Sequence, residues 1–105
     1  MDDVFKALAD ASRRQLLSRL QALPGQTLGE MCQGLEMTRQ AVSKHLAILE
    51  AANLVASVRR GREKLHYLNP VPIQEIADRW IGKYQRPHLE ALAALKQQLE
   101  EESDG

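Results

Sequence analysis

The chain has 105 residues, 44% of them apolar, and its 14 basic side chains balance 14 acidic ones. That length serves one hydrophobic core. The apolar content excludes a disordered chain, and no apolar run approaches a membrane span. The start, MDDVFKAL, lacks the basic stretch and apolar block of a secretory signal, and the single cysteine, Cys32, cannot form an internal disulfide, so a cytoplasmic protein is expected.

Val4, Phe5, Leu8 and Ala9, then Leu16, Leu17, Leu20 and Leu23, recur at three- and four-residue spacing. They predict two short helices, 2–10 and 13–22, with Ser12 as the N-cap between them. Pro24-Gly25 stops the second. Thr27 stands three residues before Glu30, the capping-box spacing, and opens a third helix. Its apolar stripe is Leu28, Met31, Cys32 and Leu35, and it should end near 34–36. Thr38 caps a fourth helix, 38–52, whose buried side is Ala41, Val42, Leu46, Leu49 and Ala52. Asn53 suits its exit because asparagine tolerates the left-handed conformation.

Residues 54–68 alternate with period two on both sides of Gly61, which predicts a β-hairpin with an Arg-Arg-Gly-Arg tip. Residues 69–101 return to helix through Ile73, Ile76, Trp80, Ile81, Tyr84, Leu89, Leu92, Leu95 and Leu99. Pro87 removes a backbone donor and should kink or split this helix near 82–87. The fold class is therefore mainly α with a small β-hairpin: four helices, two strands and a last helix.

The zero net charge hides an uneven distribution. Residues 38–64 hold Arg39, Lys44, Arg59, Arg60, Arg62 and Lys64 against Glu50 and Glu63, a net of +4. The rest of the chain carries −4, with acids gathered at Asp2, Asp3 and the EEESD at 100–104. A basic middle between acidic ends reads as a face for a polyanion, as against chance clustering on a solvated face.

Two helices joined by a tight turn at 35–37 and followed by a basic hairpin make a winged helix-turn-helix. In that motif the second helix enters the major groove. With Val42, Leu46 and Leu49 inward, Arg39, Gln40, Ser43 and Lys44 point away from the core. Arginine suits guanine's acceptor pair, and glutamine suits adenine's donor–acceptor pair. Ser43 is small enough for close approach, while Lys44 and Thr38 suit phosphates. The wing cations Arg59, Arg60, Arg62 and Lys64 can enter a minor groove or grip the backbone. His45 reads as a structural hydrogen bonder at the helix edge. Trp80, Ile81, Tyr84, Leu89, Leu92, Leu95 and Leu99 offer more apolar surface than one small core covers. Either a partner helix buries part of it, or it all packs on the chain's own core. The sequence carries no enzyme constellation: Ser43 and His45 face different directions on one helix. There is also no glycine-rich phosphate loop and no paired carboxylates in a plausible cleft.

The runs VFKALADASRRQLLSRL and TLGEMCQGLEMTRQAVSKHLAILEAANLVASVRRGREKLHYLNP resemble the ArsR-type transcriptional regulators. The resemblance covers residues 4–70. The stretch 71–95 resembles a sub-branch without an obvious metal site, whose genes often neighbour those of START-like ligand-binding proteins. The resemblance implies a homodimeric repressor on an inverted-repeat operator in double-stranded DNA, with its dimer interface built from the first and last helices. On these sequences that is one winged domain over 1–105, with 2–10 and 70–100 as dimerisation helices. Phe5, Leu8, Trp80, Ile81, Tyr84, Leu89, Leu92 and Leu95 form the interface.

Some members of the family sense metals. One family site uses paired thiolates before the recognition helix, but here GEMCQGL offers Cys32 alone, too few ligands for a soft metal. The other site uses Asp and His from the last helix. Only Asp78 and His88 match, roughly 15 Å apart along a straight helix. No metal and no cofactor are therefore expected, and the small-molecule effector is left open. Two alternatives stand beside the repressor: a winged-helix module that docks another protein, and a metal- or thiol-responsive form of the repressor.

Overall fold

The computed structural model describes residues 2–80 and 86–104, excepting the side chains at 80, 86–89, 91–92 and 102–104. In chain order the elements are α1 (Asp2–Leu8), α2 (Ala11–Ala22), α3 (Leu28–Cys32), α4 (Arg39–Ala51), β1 (Val55–Arg60), β2 (Glu63–Leu68), α5 (Val71–Trp80) and α6 (Arg86–Asp104). The predicted winged architecture is present, with the last helix assigned as two. The chain forms two compact units, residues 1–73 and 74–105.

The first unit closes around Leu16, Leu20, Met31, Val42, Leu49 and Leu54, all fully buried. These are the inward positions of α2, α3 and α4 and the entry to β1. Helical period thus delivers each element's apolar stripe to one shared core. No buried side-chain nitrogen or oxygen among the described residues lacks a partner.

The helix boundaries follow their caps. Ser12 was the expected cap of α2, but Asp10 takes that role: its Oδ1 accepts from Arg13 N at 3.1 Å. Both residues are good caps, and α1 decides between them by ending at Leu8, two residues earlier than the spacing predicts. Arg13 fixes that end, donating from Nε to Ala7 O at 2.8 Å and from Nη2 to Lys6 O at 3.0 Å. These bonds satisfy carbonyls that a helix end leaves without partners. Thr27 and Glu30 form the expected capping box, with Glu30 N to Thr27 Oγ1 at 3.2 Å and Thr27 N to Glu30 Oε1 at 3.1 Å. Helix α3 stops at Cys32, short of the predicted 34–36. There Arg19 takes over, its guanidinium donating to Gln33 O and, at 3.2 Å, to Glu30 O.

Thr38 caps α4 through its hydroxyl, which accepts from Ala41 N at 3.0 Å. At the other end Asn53 adopts φ 63°. Leu54 N then bonds Leu49 O at 2.9 Å, and Asn53 N bonds Glu50 O at 3.0 Å. This pair of bonds is the Schellman closure, completed by apolar contact between the residues flanking it. Leu49 and Leu54 supply that contact, both at 0% exposure. The closure turns the chain straight into β1.

β1 and β2 pair antiparallel in the register Val55↔Leu68, Ser57↔His66, Arg59↔Lys64 and Arg60↔Glu63. Gly61 and Arg62 form the two-residue turn. Gly61 has φ 64° and Arg62 does not share the positive φ, the pattern of a type II′ turn. The hairpin is held at its base by Asn69 N to Leu54 O at 2.8 Å, and at its middle by His66 N to Gln26 O at 2.8 Å.

In the second unit, α6 opens at Arg86 with Pro87 in its first turn, where a missing N–H costs nothing. The expected break near 82–87 falls partly on 81–85, outside the described residues. Leu95 and Leu99 are exposed on α6. No helix of the described residues is long and apolar enough to cross a membrane.

Two capping carboxylates tie stability to pH. The Arg13 backbone N–H holds Asp10 below its ordinary 3.8, and the Thr27 backbone and hydroxyl hold Glu30 below its ordinary 4.5. Their folded-state values lie below the unfolded ones. The stabilisation is therefore complete above about pH 4.5 and is lost as pH falls through the folded values. Thermal melts at descending pH are expected to show a shallower acid fall in an Asp10→Asn, Glu30→Gln double variant than in the parent chain. Parallel curves would contradict this.

Candidate nucleic-acid interface

The burial of Val42, Leu46 and Leu49 fixes the rotation of α4 about its own axis. The opposite face therefore turns outward, and Thr38, Arg39, Gln40, Ser43, Lys44 and Ala47 are all exposed. Helix α3 packs against α4, so the two form the helix-turn-helix pair.

A groove of about 520 Å³ runs between the opening of α3, the outer side of α4 and the hairpin. Thr27, Leu28 and Gly29 form one wall, and Arg39, Ser43, Leu46, Ala47 and Glu50 form the floor. Arg62, Glu63, Lys64 and His66 form the other wall. Arg39 folds toward α3. Its Nη1 stands 3.9 Å from where a Cβ on Gly29 would begin.

The sequence-predicted site residues divide over this surface. Arg39, Ser43, Arg62 and Lys64 meet in the groove. Thr38, Gln40 and Lys44 are exposed on the same helix without lining it. Register separates the wing cations. Arg59 and Lys64 are opposite one another on the strand face that also carries the buried His66 and Val55, while Arg60 pairs with Glu63 on the other face. Lys64 is committed to Glu50 of α4: Nζ lies 3.1 Å from Oε1 and 3.3 Å from Oε2.

His45 is half-buried, and its Nδ1 accepts from Arg13 Nη1 at 3.4 Å. It thus has the hydrogen-bonding role read from the sequence, and it joins α4 to the residue that clamps the end of α1.

Sequence reasoning missed a polar chain behind the groove. His66 is buried, and its Nδ1 donates to Gln26 O at 2.9 Å. Its Nε2 faces Glu50 Oε1 at 3.8 Å. Buried Gln26 donates from Nε2 to Leu23 O at 2.7 Å and Arg19 O at 3.0 Å, capping α2. The only sequence signal for this chain was His66 on the inward phase of β2.

Of the expected dimer residues, Phe5 is exposed at 46%, Leu8 packs against the core and Leu95 is exposed at 51%. Trp80, Leu89 and Leu92 are in α5 and α6, but their side chains lie outside the described residues, as do Ile81 and Tyr84 entirely. Cys32 is half-buried and packs against the core. Among the described residues no three His, Cys, Asp or Glu side chains converge to hold a metal ion.

Residues 8–58 match the family model of a helix-turn-helix domain. An uncharacterized HTH-type transcriptional regulator of Bacillus subtilis, YuzN, is 38% identical over 86 residues, which span 76% of this chain and 94% of the relative. The transcriptional repressor SdpR of the same organism is 31% identical over 75 residues, 71% of this chain and 82% of SdpR. Among solved structures, an ArsR-like transcriptional regulator from Rhodococcus sp. RHA1 superposes with a TM-score of 0.72 at 33% identity, over 95% of this chain and 90% of that one. On these identities and this superposition the chain belongs to the ArsR-type helix-turn-helix transcriptional regulators, a family of DNA-binding proteins and not of enzymes.

Proposed function

We propose that the protein is a cytoplasmic homodimeric repressor that binds an inverted-repeat operator, with α4 in the major groove and the β1–β2 hairpin as the wing. One observation carries the reading: the buried stripe of α4 aims Arg39, Gln40, Ser43 and Lys44 at solvent along a single face. Arg39 and Gln40 are at the helix N-terminus, the end that meets base edges in this motif. Thr38, Lys44, Arg59, Arg60 and Arg62 supply the sequence-independent attraction to phosphate.

The name of SdpR supports repression as the outcome of binding. Exposed Phe5 on α1 and exposed Leu95 and Leu99 on α6 support a second copy as partner, since large apolar side chains favour burial. A two-fold dimer presents two recognition helices to half-sites about 34 Å apart, which raises both affinity and specificity.

The test is selection of bound duplexes from a randomised DNA pool, followed by footprinting and sedimentation. An inverted repeat with half-sites one helical turn apart, bound by two chains, is the expected result. Retention of no duplex at low salt would overturn the reading in favour of a protein-docking module.

A further inference from the structure

We infer that Glu50 is the positioning residue of the wing: it holds Lys64 of β2, beside the buried His66, against the last turn of α4 and so sets the angle between recognition helix and hairpin. This rests on the DNA-binding reading above and deepens it.

Three features of the site point the same way. Glu50 faces two strand residues at once: its carboxylate accepts from Lys64 Nζ at 3.1 Å, and the buried His66 ring stands beside it with Nε2 3.8 Å from Oε1. The register sets Arg59 directly across from Lys64, and like charges at that spacing repel. A carboxylate beside Lys64 offsets the repulsion and lets both cations share one strand face. Finally, His66 is anchored from behind. Its Nδ1–H is spent on Gln26 O, and Gln26 is itself bonded to the end of α2. The strut therefore runs from the α2 terminus through Gln26 and His66 into β2, and from β2 through the Lys64–Glu50 pair into the recognition helix.

Two consequences follow for DNA binding. Lys64 works as a strut rather than as a phosphate ligand, because its ammonium is paired with Glu50. A carboxylate in the floor of a phosphate groove would repel DNA on its own, so its presence there makes sense as geometry and not as attraction. The Glu50–Lys64 pair is half-exposed, and such pairs add little to folding stability. The effect should therefore appear in DNA binding, with melting temperatures nearly unchanged.

The experiment compares the full-length wild type with Glu50→Gln, Lys64→Gln, Arg62→Gln and the swap Glu50→Lys/Lys64→Glu. The probes are the duplex selected by the wild type and a scrambled duplex of equal length. Glu50→Gln and Lys64→Gln are each expected to weaken the selected duplex about fivefold, and the swap to recover to within about twofold of wild type. Arg62→Gln should lower the slope of log affinity against log salt by about 0.9 per chain, and Lys64→Gln should leave it unchanged. A slope drop in Lys64→Gln with no recovery in the swap would mean a direct phosphate contact and overturn the inference. Tighter binding of both duplexes by Glu50→Gln would do so too, since it would leave only repulsion.

Backbone amide heteronuclear NOEs at 59–64 in the DNA-free protein give a separate reading. Glu50→Gln should lower them and the swap restore them; no change would overturn the strut. Failure of the wild type to bind either duplex would instead overturn the DNA-binding reading, which the NOE measurement does not use.

Discussion

Replacing Arg39 and Gln40 together with alanine is expected to cut the ratio of selected-duplex to scrambled-duplex affinity by about a hundredfold. Each bidentate contact to a base edge discriminates by about 1–3 kcal/mol, so two lost contacts reach that factor at about 1.4 kcal/mol each, in the lower half of the range. Both side chains are exposed, so the fold should lose less than about 0.5 kcal/mol. Scrambled-duplex affinity should fall only by the loss of one charge. Competition gel shifts and a urea melt, run on the same preparation, separate the two effects. An equal loss on both duplexes would mean that this helix supplies charge and reads no bases.

The second large effect is on stability. Leu49→Ala should cost about 2–5 kcal/mol, the usual range for a leucine emptied from a packed core. That is a large share of the roughly 5–15 kcal/mol that holds a small domain together. Leu49 is fully buried, and its carbonyl also receives the Leu54 N–H in the closure of α4. Its side chain is therefore part of what aims the recognition helix and starts the wing. Denaturant melts should show a lower midpoint with an unchanged slope. A shift below about 1 kcal/mol would mean that the core refills the site and that α4 is held elsewhere.

Much of this was legible in the sequence because it is local. Helical period put Val42, Leu46 and Leu49 on one side of 38–52, and once that side is buried the outward residues have no choice. Thr27 and Glu30 announce a capping box within four residues, and Gly61 marks the only place where the hairpin turn could close. The misreading of Ser12 for Asp10 has a different origin. Both residues cap equally well in isolation, and the choice is made by Arg13 gripping carbonyls six and seven residues back. Pro87, which the sequence singled out, falls in the first turn of α6, and the rest of the expected break near 82–87 lies outside the described residues.

The Gln26–His66–Glu50–Lys64 chain was not legible, because its members come from different elements. Glu50 meets Lys64 across 14 residues and His66 meets Gln26 across 40, and neither meeting exists until the hairpin has its register and docks. In the sequence Glu50 counted only as a negative charge against a basic stretch. In the folded chain it lies in the floor of the groove, holding the wing.

Titration of the 15N-labelled protein with its selected duplex tests the outward aim of α4 most directly. The amide and side-chain signals of Thr38–Ala47, together with those of the hairpin tip at 59–64, should shift in proportion to duplex added, while the core signals of Leu16, Leu20 and Leu54 stay in place. Saturating duplex that leaves Arg39, Gln40, Ser43 and Lys44 unmoved and shifts another surface would contradict the account.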